Sequence, residues 1–203
     1  MTSDFDDLRF VVVDVEGNGQ QPPEVIEFAV THLDGLTIVG AAQSWLVRPS
    51  RPITPLVTRK VHGITNADVA DAATIEALAP VLLGALGDRI PVAHNARVER
   101  DVLGAQLPLW QPAMILDTMR LARQVWPGLA SYSLDALMNH AGITVDSGQG
   151  QRHRAGFDTH GTALLFVILA QATADRFRLF EWAALPGSHL LTRDEPGDEG
   201  TLW

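Results

Sequence analysis

The sequence predicts an α/β protein: a mixed central sheet with an antiparallel three-strand start and helices on both faces. Three observations carry this. A continuously apolar, β-branched run opens the chain at residues 8–15 (LRFVVVDV). Two further strand-like segments follow it across short turns, before any helical pattern begins. From Pro55 onward the apolar period becomes helical, and short apolar runs alternate with helices.

The run Leu8 to Val15 lacks polar alternation, which marks a central strand covered on both faces. Glu24 to Leu33 reads as the second strand, Asp34-Gly35 as a hairpin turn, and Thr37 to Val47 as the third strand. Asn66 is the expected N-cap of a helical stretch that Pro80 should split or kink. Ile90 to Ala93 is a short strand, and Asn95 is placed to cap a helix from Ala96 to about Ala105. On that helix Val98 and Val102, four apart, are expected to face the core. Ala113 to Leu116 reads as another strand, followed by helical MRLARQVW ending near Pro127-Gly128. Ser133 to His140 is a short helix stopped by Gly142, and a last long helix is expected from about Phe157 to Phe180. Residues 1–185 form one domain in this reading, and 186–203 an acidic, loosely held tail.

Composition narrows the function classes. With 46% apolar and 19% charged residues among 203, a packed globule is expected rather than disorder. No apolar run reaches the ~20 residues that span a bilayer, and the N-terminus carries acids where a secretory signal carries Lys or Arg. The cytoplasm is therefore the expected compartment, with no membrane partner. The absence of cysteine excludes disulfides, a thiolate nucleophile and a zinc–thiolate site. A net charge of -9 opposes bulk attraction to a polyanion, unless the acids sit where cations neutralise them.

Three segments concentrate chemistry. Asp14-Val15-Glu16 ends the first strand, and residues two apart share a face, so both carboxylates enter one cavity. Two such acids repel unless a cation lies between them, and hard oxygen ligands suit Mg²⁺ or Mn²⁺. Gly17-Asn18-Gly19 follows, where a substrate backbone can approach closely. The second segment, VAHNARVERDVL, offers His94, Asn95, Glu99 and Asp101. Glu99 and Asp101 diverge by about 200° on a helix, so only one of them reaches the site. The third, QRHRAGFDTHGTALL, places His153 before a helix and Asp158 in its first turn. An imidazole in a polar, Gly-flanked loop titrates near neutral pH, as a general base requires. Each segment alone has an ordinary reading as a strand end, an amphipathic helix or a surface histidine.

In this order the segments resemble the DEDD exonuclease superfamily, in its DnaQ-like branch with a histidine in the third motif. DVEG resembles the first motif, AHNARVE the second and HRAGFD the third; Val61-His62-Gly63-Ile64, Leu116-Asp117-Thr118 and Tyr132-Ser133-Leu134 add lesser matches. The resemblance runs from about Arg9 to Ala174 and implies a ribonuclease H-like fold. It implies a 3′→5′ exonuclease releasing nucleoside 5′-monophosphates with two divalent metal ions, Mg²⁺ or Mn²⁺, roughly 3.5–4 Å apart. Asp14, Glu16, Asp158 and Glu99 would hold the metals, and His153 would deprotonate the attacking water. Gly17, Asn18, His62, Ile64, His94 and Asn95 are the expected contacts of the terminal nucleotide. The partner is the 3′ end of single-stranded DNA or RNA; a proofreading role would require a DNA polymerase or repair partner, and a homodimer is a further expectation. Two departures stand out: Glu99 occupies the position of the family's second-motif Asp, with Asp101 as the fallback, and Gly17-Asn18-Gly19 replaces a hydroxyl-bearing sequence. The alternative is a nucleic-acid or partner-binding module that keeps the fold with impaired catalysis.

Overall fold

The computed structural model describes residues 4–145 and 153–188. The expected tail thus lies outside the described residues from His189 onward, as do Arg152 and the end of the loop before it.

Five strands form one sheet in the order β3-β2-β1-β4-β5. β1 (Arg9–Gly17), β2 (Val25–Asp34) and β3 (Thr37–Leu46) are the antiparallel start, closed by a turn in which Gly35 adopts φ 57°. β4 (Ile90–Ala93) pairs parallel with β1, and β5 (Leu116–Asp117) parallel with β4. β1 is central because its side chains are apolar on both faces. Phe10 and Val12 join one core with Leu121, Leu137, Phe166 and Phe180. Val11 and Val13 join the other with Leu82, Leu86 and Leu103.

The first core is covered by α4 (Thr118–Val125), α5 (Leu134–His140), α6 (Ala155–Gln171) and α7 (Arg176–Ala183). The second lies under α2 (Ile75–Leu86) and α3 (Arg97–Gln106). A short α1 (Pro55–Val57) runs into a π-helical turn, Thr58–His62, which sequence periodicity did not foretell. It rests against Gly19, where a Cβ would fall 2.3 Å from Thr54 Oγ1.

Several expectations are corrected. Asn66 caps no helix; its amide brackets Ile53, accepting from the Ile53 N–H at 2.8 Å and donating to its carbonyl at 3.2 Å. Thr74 caps α2 instead, and the helix continues through Pro80 without a break in its assignment. Asn95 takes a left-handed conformation (φ 64°) and gives α3 no side-chain cap. The strand expected at 113–116 starts only at Leu116. The long last helix is two: Thr173 turns its hydroxyl back to the Ala170 carbonyl (2.7 Å), and Asp175 accepts the Arg178 N–H (2.8 Å) as the N-cap of α7.

Candidate active site

The alternation of β1 sends Asp14 and Glu16 to the same face as Phe10 and Val12, the face that α6 covers. Asp158 lies in the first turn of α6. One carboxylate oxygen from each of Asp14, Glu16 and Asp158 lies within 4.8 Å of the others. The first and third sequence segments, 144 residues apart between Asp14 and Asp158, are thereby brought together.

The second segment enters from the neighbouring strand. Val12 pairs with Val92, so the chain leaving β4 reaches the same sheet edge as Asp14. Against expectation, Val98 faces outward, 46% exposed, whereas Val102, half-buried, does pack against the core. The inward positions are Ala96, Glu99 and Leu103, which makes Glu99 4% exposed. Asp101 instead reaches solvent and pairs with Arg100 at 2.9 Å. Of the two candidate acids, the helix therefore turns Glu99 inward.

The cluster is electrostatically costly as it stands. Burial, then the charges of Glu99, Glu16 and Asp158, hold the Asp14 carboxyl well above the usual carboxylate range. Glu16 is pushed up to about 8, mainly by burial, with Asp158 and Glu27 adding and Arg154 opposing. Glu99 is also raised to about 8 by burial, with Asp117 and Glu16 contributing and its own backbone N–H opposing. Glu99 Oε2 is buried without a hydrogen-bond partner. Buried carboxylates normally find a partner or a metal. An all-oxygen donor set with this much uncompensated charge fits a hard divalent cation.

The third segment also carries His153, exposed and in a left-handed conformation (φ 59°). The next residue, Arg154, is fastened to Glu27 of β2 by two bonds, Nε at 2.9 Å and Nη2 at 2.7 Å. Glu27 was not singled out in the sequence. Its signal was an acid inside the apolar run from Val25 to Val30, which burial allows only with a partner.

The expected substrate contacts divide. Gly17 sits at a register shift of β1 against β2, beside Pro23. His62 is buried; Nδ1 accepts the Ile64 N–H at 3.0 Å, Nε2 has no hydrogen-bond partner, and burial pushes the imidazole pKa down. Asn95 is exposed, its backbone N–H bonded to Asp117. Three of the expected contacts are engaged by other parts of the chain. The Asn18 side chain is fully buried and spent on the loop, accepting from Gln20 and Glu24 and donating to the Arg51 carbonyl. Ile64, 2% exposed, packs with Ile26, Ile53 and Val69 rather than facing a cavity. Both ring nitrogens of His94 meet protein, Thr118 Oγ1 at 2.9 Å and the Tyr132 carbonyl at 3.0 Å. The four tryptophans among the described residues behave as packing residues: Trp45 against Phe28, Trp126 against His140, Trp110 buried, and Trp182 under Arg178.

Comparison with known proteins agrees with this geometry. The exonuclease family model matches residues 11–166. Exodeoxyribonuclease 10 of Escherichia coli is 37% identical over 157 residues, which are 77% of this chain and 66% of that protein. The DNA polymerase III subunit epsilon of Aquifex aeolicus is 30% identical over 185 residues, 88% of this chain and 89% of the relative. A polymerase III epsilon-like protein of Rhodobacter capsulatus is 34% identical, but this chain spans only 25% of its length. Among solved structures, exonuclease X in complex with 5′ overhanging duplex DNA superposes with a TM-score of 0.72 at 34% identity, covering 85% of this chain and 98% of that one. The strand order and two-sided helix cover are the ribonuclease H-like arrangement expected. No helix among the described residues is long and apolar enough to cross a membrane.

Proposed function

The chain belongs to the exonuclease family, and from that premise we propose that it is a metal-dependent 3′→5′ exonuclease acting on DNA ends. The observation that carries the reading is the convergence of Asp14, Glu16 and Asp158 within 4.8 Å, with Glu99, whose Oε2 has no hydrogen-bond partner, buried close enough to raise the Asp14 carboxyl. Asp14, Glu16 and Asp158 would hold one cation, and Asp14 with Glu99 a second. Bound there, Mg²⁺ or Mn²⁺ supplies charge neutralisation and Lewis-acid polarisation of a phosphodiester oxygen.

The residues of the chain do the rest. His153, exposed and one residue ahead of the pinned Arg154, accepts the proton of the attacking water. The loop at Gly17 offers backbone to the terminal nucleotide, and the buried His62 ring lies against that backbone. The P–O bond to the 3′ oxygen breaks, that oxygen takes up a proton to become the 3′-hydroxyl of the shortened strand, the water oxygen stays on phosphorus, and a nucleoside 5′-monophosphate leaves. DNA is favoured over RNA because relatives at 30–37% identity are a deoxyribonuclease and a DNA polymerase subunit. The match along 89% of the epsilon subunit makes a DNA polymerase the partner to test first.

The decisive assay uses 5′-labelled DNA and RNA oligomers with Mg²⁺ or Mn²⁺, an EDTA control and the Asp14→Ala variant. A ladder shortening from the 3′ end, strongest on DNA and lost in EDTA and in Asp14→Ala, is the expected result. No shortening by folded protein would favour the impaired binding module instead.

A further inference from the structure

Glu27 is a carboxylate at the acid site that does not act as a free acid. Antiparallel pairing sets it directly opposite Glu16, so both side chains point to the face covered by α6. Its side chain is 5% exposed. Oε1 accepts from Arg154 Nη2, while Oε2 accepts from both Arg154 Nε (2.9 Å) and the Ala155 N–H (3.0 Å).

These bonds fall at the N-terminus of α6. Arg154 is its N-cap residue (φ -125°, ψ 133°) and provides no side-chain cap of its own. The Ala155 N–H is one of the amides a helix start leaves unsatisfied, and Glu27 satisfies it from another strand. A negative charge at that position is also favoured by the helix dipole. The Arg154 carbonyl accepts the Asp158 N–H at 3.0 Å, so fixing Arg154 fixes the turn that presents Asp158. On the other side, His153 directly precedes Arg154 and holds φ 59°, a conformation that costs a non-glycine residue roughly 1–2 kcal/mol.

We propose that the Glu27–Arg154 ion pair is a positioning device: it sets His153 and Asp158 against Asp14 and Glu16, and cancels its own charge so that cations see only the other acids. What His153 and Asp158 then accomplish rests on the exonuclease reading; their placement does not. The pair's two charges both reach Glu16, one raising and the other lowering its pKa. Breaking the pair from either side must therefore disturb the acid site with opposite signs.

The test titrates Mn²⁺ into the full chain by calorimetry, without nucleic acid, beside kcat and KM on a DNA oligomer. Glu27→Gln leaves the Arg154 cation beside Glu16 and should weaken Mn²⁺ binding, by roughly five-fold for a charge at this range. Arg154→Met leaves the Glu27 anion unmatched and should bind Mn²⁺ more tightly than Glu27→Gln, because the displacement of Asp158 is common to both and only the left-over charge differs. Both should lower kcat, by about 10²-fold if the reacting groups shift by an ångström, with little change in KM. The double variant, with neither charge, should bind Mn²⁺ between the two single variants and should not regain kcat. Arg154→Lys keeps the charge without the two-pronged bond, so it should bind Mn²⁺ more tightly than Glu27→Gln, with lowered kcat. Tighter Mn²⁺ binding by Glu27→Gln than by Arg154→Met, or wild-type kcat in the double variant, would overturn the proposal. A wild-type chain that shortens no strand sinks the exonuclease reading alone; the expected order of Mn²⁺ affinities would then still uphold the pair's place at the acid site.

Discussion

Among the charges around Asp14, the carboxylate of Glu99 acts on it most strongly, although one residue stands on β1 and the other on α3. The longer side chain at the second-motif position is thus felt by Asp14, although it stands outside the three acids that converge within 4.8 Å. The relationship separates Glu99 from its neighbour two residues on, since Asp101 is solvent-facing and paired with Arg100.

Glu99→Gln should lower kcat by at least about 10²-fold, the scale for losing one group that stabilises the reacting charges, whereas Asp101→Asn should leave the rate within two-fold. Steady-state rates on a DNA oligomer at saturating Mg²⁺ check both. Equal losses at the two positions would mean that the helix face has been misassigned.

Metal-free protein should become less stable as pH rises from about 4.5 to 8. Glu16 and Glu99 both rise to about 8 on folding. The folded state therefore binds more protons than the unfolded chain across this window, so stability is full below the unfolded value and lost through the folded one. Urea midpoints in EDTA at pH 5, 6.5 and 8 should fall in that order, and saturating Mg²⁺ should raise the pH 8 value most. A midpoint that climbs from pH 5 to 8 in EDTA would contradict the raised values.

Cation binding at pH 7 should release protons, because the ligands must be ionised to coordinate. With Glu16 and Glu99 raised to about 8, about two protons per chain are expected from these two groups, and the raised Asp14 adds to that count. Calorimetric Mn²⁺ titrations in buffers of different ionisation enthalpy count them. A value near zero would mean that the carboxylates are already ionised.

Gly19→Ala should destabilise the fold by about 1–3 kcal/mol and reduce activity more than its distance from the acids suggests. Gly19 has φ 74°, and a Cβ there would lie 2.3 Å from Thr54 Oγ1 and 2.9 Å from Val57. The segment carrying His62 must move to relieve that overlap. Thermal melts and KM together test it; an unchanged melting temperature would show that the segment yields freely.

Ile64→Ala should cost about 2–5 kcal/mol through a core cavity without altering the preference among terminal bases. It packs with Ile26, Ile53 and Val69 rather than lining a cleft. A changed base preference with little loss of stability would restore it to the substrate pocket.

The strands and the acid-bearing segments were legible because their signals are local. An apolar β-branched run names a central strand, and Asp14 and Glu16 share a face whatever else the chain does. What could not be read depended on tertiary competition. Val98 looked like a core residue by spacing, but the core took Ala96 and Leu103, and with them the charged Glu99. Asn66 has the chemistry of a cap, yet the backbone of Ile53 claims its amide. Asn18 and His94 have side chains suited to a ligand; Asn18 is engaged by N–H groups of its own loop, and His94 by Thr118 and the Tyr132 carbonyl, 24 and 38 residues away. Glu27 was hidden because its partner, Arg154, lies 127 residues away.

The position of α6 has a consequence for how the chain is made. It packs across β1, β2 and β3, and it supplies the third acid of the cluster. Until residues 155–171 have left the ribosome, the sheet already synthesised keeps Phe10, Val12 and Leu33 bare on one face. A nascent chain at that stage is a candidate for holding by a chaperone. It also lacks Asp158, so a hydrolytic centre cannot assemble on a partly translated molecule.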